Sequence, residues 1–455
     1  MRVSVQVTDE LRGRNVSVSG LDKGASLPSR LVFGGRACTI AATRAKGPQG
    51  TYRLYVSRSI GKAFGLNRNA IIHARVQGTT WYLGPILGLY VDRTASLDRP
   101  FGEQTRMFEE LTTYGRSLGV HVVILTPGDL QAKCVNRYNT HAECWMVNEN
   151  LIPDIVIRRS GSFTKSNAEQ AKWELLQFQK SGRLHTLPRE CSNKWTIHQI
   201  LSNTTDLKDH LPRTTLCTSA GDLFDAVMAR RDVYVKPPGG AQGVSIYHLK
   251  RMGKQVQASW ERRIVPRQTE RVSSVFKPET KLLYRNLSSQ MDFQKFWKAS
   301  RLKRAIVQDT VPLPKVNGAP YDFRWLVQAS DSPTIIARVA RVGQSGAVTT
   351  NIHTGGIAKS AEDLVERAVG CKRRDAMLET MDSIATGVVR TLKHKYGDFA
   401  ELGIDLALTP AGEIYIFEIN ATPGRRMLRM VSPGARRLSL ELLLEYAIRA
   451  TGYSG

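Results

Sequence analysis

Leu402-Gly-Ile-Asp-Leu-Ala-Leu408 and Ile414-Tyr-Ile-Phe-Glu-Ile-Asn420 are two short apolar runs separated by the connection Pro410-Ala-Gly-Glu413. Runs of this length bounded by turn residues read as strands. Side chains alternate faces along a strand, so Glu418 and Asn420 are expected on one face and Tyr415, Phe417 and Ile419 on the other. If the runs pair as a hairpin, that connection sets Asp405 opposite Glu418, within cross-strand reach. An Asp, a Glu and an Asn then form one cluster of oxygen donors. Hard cations such as Mg²⁺ take such oxygens and usually complete their shell with water and substrate phosphates, so the cluster points to a nucleotide. The plainer reading is two strand-surface acids. Against it, Asp405 sits among Ile404, Leu406 and Leu408, where an unpaired carboxylate is costly to bury.

Upstream, Val233-Tyr-Val-Lys236 reads as a strand that runs into Pro237-Pro-Gly-Gly-Ala-Gln-Gly-Val-Ser245, with a further strand through Val244–His248. Glycines let backbone N–H groups close around phosphate oxygens, and the Lys236 ammonium adds a compact charge. The loop has neither GxxxxGK[ST] nor GxGxxG, which excludes P-loop and Rossmann readings. By itself an ordinary glycine turn explains it equally well. Further out, the spacing predicts strands at Phe323–Ala329 and Thr334–Val342, a helix at Asp222–Arg231 and one long helix from about Ser360 to Lys395. Residues 1–95 alternate in short bursts typical of a β-rich domain. A helix over Glu103–Leu118 followed by strands at Val120–Leu125 and Pro153–Arg158 predicts an α/β domain over 96–185. The fold class expected is α/β (α+β).

The 455 residues suffice for several domains, and 42% hydrophobic with 23% charged residues excludes wholesale disorder. Lys and Arg exceed Asp and Glu by 65 to 40, a net charge of +25 that favours anionic partners. Residues 250–304 hold 15 Lys/Arg against 4 Asp/Glu, a local +11 that reads either as a solvated face or as an anion or nucleic-acid patch. The six cysteines form no CxxC pair, which argues against a zinc site and for free thiols in a reducing, cytoplasmic setting. The longest apolar run, Trp81–Val91, is too short to span a membrane. Ser160-Gly-Ser162 lacks the GxSxG spacing of a hydrolase elbow, and Cys191 reads as a packing residue.

Lys236-Pro-Pro-Gly-Gly-Ala-Gln-Gly243, Val307-Gln-Asp-Thr-Val311, Asp322-Phe-Arg-Trp-Leu-Val327, Thr350-Asn-Ile-His-Thr-Gly-Gly356, Leu402-Gly-Ile-Asp405 and Phe417-Glu-Ile-Asn-Ala-Thr-Pro-Gly424 occur in the order seen in ATP-grasp proteins. Together with Tyr82–Tyr90, Pro153–Arg158 and Asn193-Lys-Trp195, they make the chain resemble the YheC/YheD family of endospore coat-associated proteins. The resemblance implies an ATP-grasp domain over 186–455, with lobes 186–312 and 313–455, and ATP with Mg²⁺, two ions, as cofactors. It implies Asp405, Glu418 and Asn420 as metal ligands, with Glu418 bridging the ions. Lys194 and Lys236 would reach the phosphates, alongside the loop residues Gly239, Gly240, Gln242 and Gly243. Gln308 begins the hinge, where the backbone of Asp309 and Val311 would read adenine. Asp322 would lie near the ribose, and Arg341 would stabilise the transferred phosphoryl group. The pattern departs from related glutamate ligases at Thr354, where they carry Arg. His353 reads as a structural hydrogen-bonder.

The activity implied is ligation of a carboxylate to an amine or other nucleophile through an acyl-phosphate. The partners expected are ATP, an acidic peptide or polymer and spore-coat proteins. The rival readings are a nucleotide-binding coat protein without catalysis and, last, a nucleic-acid binder through residues 250–304, whose affinity would fall steeply with salt.

Overall fold

The computed structural model describes residues 1–66, 69–149, 151–240, 245–263, 280–344 and 356–454. They form two compact units, Met1–Thr186 with Arg437–Gly455, and Leu187–Arg436.

In the first unit an eight-stranded sheet is built from strands between Arg2 and Gly84. Its alternation is that of the sequence: Val3 and Val5, Val16 and Val18, and Leu54 and Val56 are all fully buried. The apolar run Trp81–Val91 divides at Gly84-Pro85. Thr80–Gly84 belongs to this sheet, while Ile86–Tyr90 is the inner strand of a second, five-stranded sheet, parallel to both His121–Leu125 and Ile155–Arg158. Parallel strands are covered on both faces, so Ile86, Leu87, Leu89 and Tyr90 are all fully buried. No described helix is long and apolar enough to cross a membrane, and all six cysteines are free.

His121 opens one of these strands with its ring edge-on to Phe33 at 4.9 Å. Burial, reinforced by the Arg137 and Arg116 guanidiniums, pushes its pKa from 6.5 down to about 3. The unfolded chain therefore binds a proton that the folded chain refuses, and stability falls as pH drops from about 6.5 toward 3. The slope for one proton is about 1.4 kcal/mol per pH unit. Replacing His121 with Leu is expected to flatten the pH dependence of urea unfolding between pH 6 and 4.5 by about that slope. A variant with the parent's slope would refute it.

The second unit contains two antiparallel sheets. The first runs in the order Thr214–Cys217, Ala305–Asp309, Asp232–Lys236, Tyr247–Met252, Gln255–Arg263, Thr280–Leu287. The strand after the glycine loop begins at Tyr247, past the expected Ser245 and Ile246, while Val244 lies outside the described residues. Helices Ala220–Arg230 and Gln290–Ala299 cover one face, each opened by a capping box, Ser219 with Asp222 and Ser289 with Asp292. Of the basic stretch, residues 264–279 lie outside the described ones.

The other sheet runs Ile357–Ser360, Thr334–Val342, Ala319–Gln328, Glu401–Leu408, Ile414–Asn420. Tyr321, Phe323, Trp325 and Val327 face the core with Leu402, Ile404, Leu406 and Leu408, sharing it with Met381, Ile384, Val388 and Leu392. The even-numbered residues Asp322 and Arg324 are thereby turned to the opposite face. The single long helix expected from Ser360 is instead two, Ala361–Val369 and Cys371–Tyr396. Gly370 separates them at φ 84° and ψ 158°, an extended positive-φ backbone essentially confined to glycine, which ends the first helix. Beyond the last strand, the Arg425 Nη1 donates to Glu401 Oε1 at 3.1 Å, both side chains buried. This pair ties the segment after Asn420 to the start of the Asp405 strand.

Candidate functional site

The hairpin forms in the expected register: Asp405 is the Cα partner of Glu418, and Gly403 of Asn420. A bulge interrupts the register between Asp405 and Leu406, whose partner is Ile416, leaving Phe417 as the extra residue. The bulge overturns the expected parity. Ile414, Ile416 and Ile419 enter the core, whereas the Phe417 ring lies 5.7 Å from the Lys236 ammonium.

Cross-strand pairing carries the charged row onward. Arg324 is the Cα partner of Asp405, and Asp322 of Arg341. The Arg341 Nε and Nη2 donate to the two Asp322 oxygens at 2.7 and 2.6 Å, and Nη2 lies 3.0 Å from Asp405 Oδ2. Arg324 grips Asp405 from the other side, with Nη2 donating to Oδ2 at 2.9 Å and Nε to Oδ1. All four side chains are buried or nearly so. Two carboxylates and two guanidiniums alternate and cancel, which is what makes charges tolerable there. Burial raises the Asp405 pKa, but Arg324 and Arg341 outweigh it and hold the carboxyl below its ordinary 3.8. Burial likewise works against the Arg341 charge, and Asp322 and Asp405 overcome it. Asp322 gives both carboxylate oxygens to Arg341.

Lys194 opens the helix Lys194–Ser202, whose cap is Asn193: its side chain accepts from the N–H groups of Trp195 and Thr196. A cation is disfavoured at a helix N-terminus, so Lys194 needs an outside partner. It has two, the Gly240 carbonyl at 2.7 Å and Glu418 Oε1 at 3.1 Å. Gly240 presents that carbonyl at φ 117°, a conformation suited to glycine. Lys236 donates to Gln308 Oε1 at 2.7 Å, and burial pushes its pKa down to about 8 against the pull of Glu418. Lys194, Lys236, Ile306, Gln308, Phe417 and Glu418 line one pocket. Asp309 pairs with Arg230 at 3.4 Å and donates its N–H to the Arg213 carbonyl. Val311 is buried. Gly239 has open space around its Cα. Gln242, Gly243, Asn351, His353 and Thr354 lie outside the described residues.

Among the described residues no three His, Cys, Asp or Glu are grouped to hold an ion. The oxygens the hairpin offers are those of two carboxylates and the Asn420 amide, whose oxygen accepts the Thr422 N–H at 3.0 Å. Asp405 keeps a lone pair on Oδ1 after its two arginines are counted, and Glu418 keeps Oε2. These hard oxygens on adjoining strands fit Mg²⁺, which needs few protein ligands when phosphates supply the rest.

The YheC/D-like ATP-grasp family model matches residues 184–449. The chain belongs to this family. It is 24% identical over 436 residues to the endospore coat-associated protein YheD of Bacillus subtilis (strain 168), covering 89% of each chain. It is 22% identical over 330 residues to YheC of the same organism, covering 71% of this chain and 86% of that one. Among solved structures it resembles the D-alanyl-alanine synthetase A of Vibrio cholerae, with 12% identity, TM-score 0.46, and 81% and 98% of the two chains covered. The D-cycloserine synthetase DcsG resembles it at 13% identity and TM-score 0.45, with 80% and 99% covered.

The YheC/D-like ATP-grasp domain therefore carries more charge around Asp405 than its motifs announce. Arg324 received no role from the sequence. Its signal is there nonetheless, because Asp322-Phe-Arg324 has the i, i+2 spacing that puts both side chains on one face of a strand.

Proposed function

We propose that the protein is an ATP-dependent ligase that activates a carboxylate as an acyl-phosphate and joins it to an amine or other nucleophile, in connection with the endospore coat. The observation that carries this reading is the meeting of Lys194, Lys236 and Glu418 around one pocket, with Glu418 beside the arginine-held Asp405. Asp405, Glu418 and Asn420 would hold Mg²⁺. Bound there, the metal would neutralise phosphate charge. Lys194 and Lys236 bring fixed donors to the same phosphates. The Asp309 carbonyl and the Val311 backbone meet the adenine edge. Arg341 keeps Asp405 ionised and in place, and through Asp405 it would bear on phosphoryl transfer. Asp322 acts as its counter-ion.

The test is release of ADP from Mg²⁺-ATP in the presence of pooled amino acids, peptides and coat extracts. Release that depends on an added acid or amine is expected, with the joined product lighter than its two components by one water. Tight ATP binding with no such release would replace the ligase by a nucleotide-binding coat protein.

A further inference from the structure

Lys236 does not stand alone in its pocket. Its ammonium donates to Gln308 Oε1 at 2.7 Å, the Gln308 Nε2 donates to Thr214 Oγ1 at 3.3 Å, and the Thr214 hydroxyl donates to the Pro212 carbonyl at 2.6 Å. The direction of this chain is fixed at both ends. An ammonium can only donate and a carbonyl can only accept, so the hydroxyl and the amide between them have one consistent arrangement. Strand pairing builds it, since Thr214 and Gln308 are Cα partners on neighbouring strands.

We infer that Thr214 and Gln308 form a directed hydrogen-bond relay that aims the Lys236 ammonium at a nucleotide phosphate without neutralising it. The inference rests on the nucleotide reading of the pocket. An ammonium has three N–H groups; among the described residues the relay occupies one, leaving two for phosphate oxygens. A neutral amide leaves the whole positive charge available; a carboxylate in its place would cancel that charge and repel the phosphates. Without the Thr214 acceptor, the amide is free to turn its own NH₂ toward Lys236, donor against donor. Gln308 and Thr214 are thus positioning residues that act through Lys236.

The experiment compares binding of ADP and of adenosine to the full-length parent, Thr214→Val, Thr214→Ser and Gln308→Glu by titration calorimetry with Mg²⁺ present. Thr214→Val, close in shape but without the hydroxyl, is expected to weaken ADP about five- to tenfold, the worth of one hydrogen bond. Its adenosine affinity should stay at the parent's value, because the relay serves the phosphates. Thr214→Ser should restore ADP binding, and Gln308→Glu should weaken it by about tenfold or more. ADP binding at the parent's strength in Thr214→Val or Gln308→Glu would overturn the relay, as would equal losses for ADP and adenosine. A parent that binds neither would instead refute the nucleotide reading itself.

Discussion

Glu418→Gln is expected to cut substrate-dependent ADP release by about a hundred- to thousandfold, the usual cost of removing one group aimed at developing charge. The substitution keeps the length and one oxygen but removes the negative charge that would hold Mg²⁺. It also turns the Lys194 ion pair, 3.1 Å long, into a hydrogen bond to a neutral amide beside the one to the Gly240 carbonyl. Folding should barely change, since the Glu418 side chain is more than a third exposed and exposed pairs contribute little. The loss should therefore appear in turnover and in Mg²⁺-dependent nucleotide affinity with an unchanged melting temperature. A variant releasing ADP at the parent's rate would remove Glu418 from the proposed metal set, and the ligase reading with it.

Arg341→Met is expected to fail in a different way, through stability. Arg341 neutralises Asp322 on both oxygens and shares Asp405 with Arg324, all in a buried row. Removing it leaves the Asp322 carboxylate buried with its main partner gone, at a cost of about 3–5 kcal/mol. Replacing Asp322 by Leu at the same time removes the orphaned charge, so the double variant should recover most of that loss. The pH dependence has a definite sign. Because the arginines hold the Asp405 carboxyl below its ordinary 3.8, its contribution is complete above that value and fades as pH falls below it. The deficit of Arg341→Met should thus be largest at neutral pH and shrink on acidification. Urea unfolding at pH 7 and pH 3, the second below the ordinary carboxyl value, measures both effects. A single variant within about 1 kcal/mol of the parent at pH 7 would show that the row is not held by charge pairing.

Much of the site was legible before any coordinates. Alternation along Leu402–Leu408 and the short connection through Gly412 are local properties, and together they dictate the pairing of Asp405 with Glu418. The order of the motifs did as much for the family. The parity of Phe417 was not legible, because a bulge is a property of two strands and arises from the partner's register. Nor was the break at Gly370, where an apolar pattern continues on both sides and the positive-φ, extended glycine backbone marks the boundary.

Local spacing and residue chemistry, then, were enough to specify an oxygen-rich hairpin and a lysine ahead of a glycine loop, while the resemblance carried by the ordered motifs supplied the kind of fold that brings them together. What tertiary structure alone decided is who compensates whom: Arg324 with Asp405 across 81 residues, Arg341 with Asp322 and Asp405 together, and Gln308 with Lys236 and Thr214. The reason is physical. Alternation tells each strand which face its side chains take, but the register between strands distant in sequence is set by packing of the whole core, and a buried charge finds its partner only once that register exists.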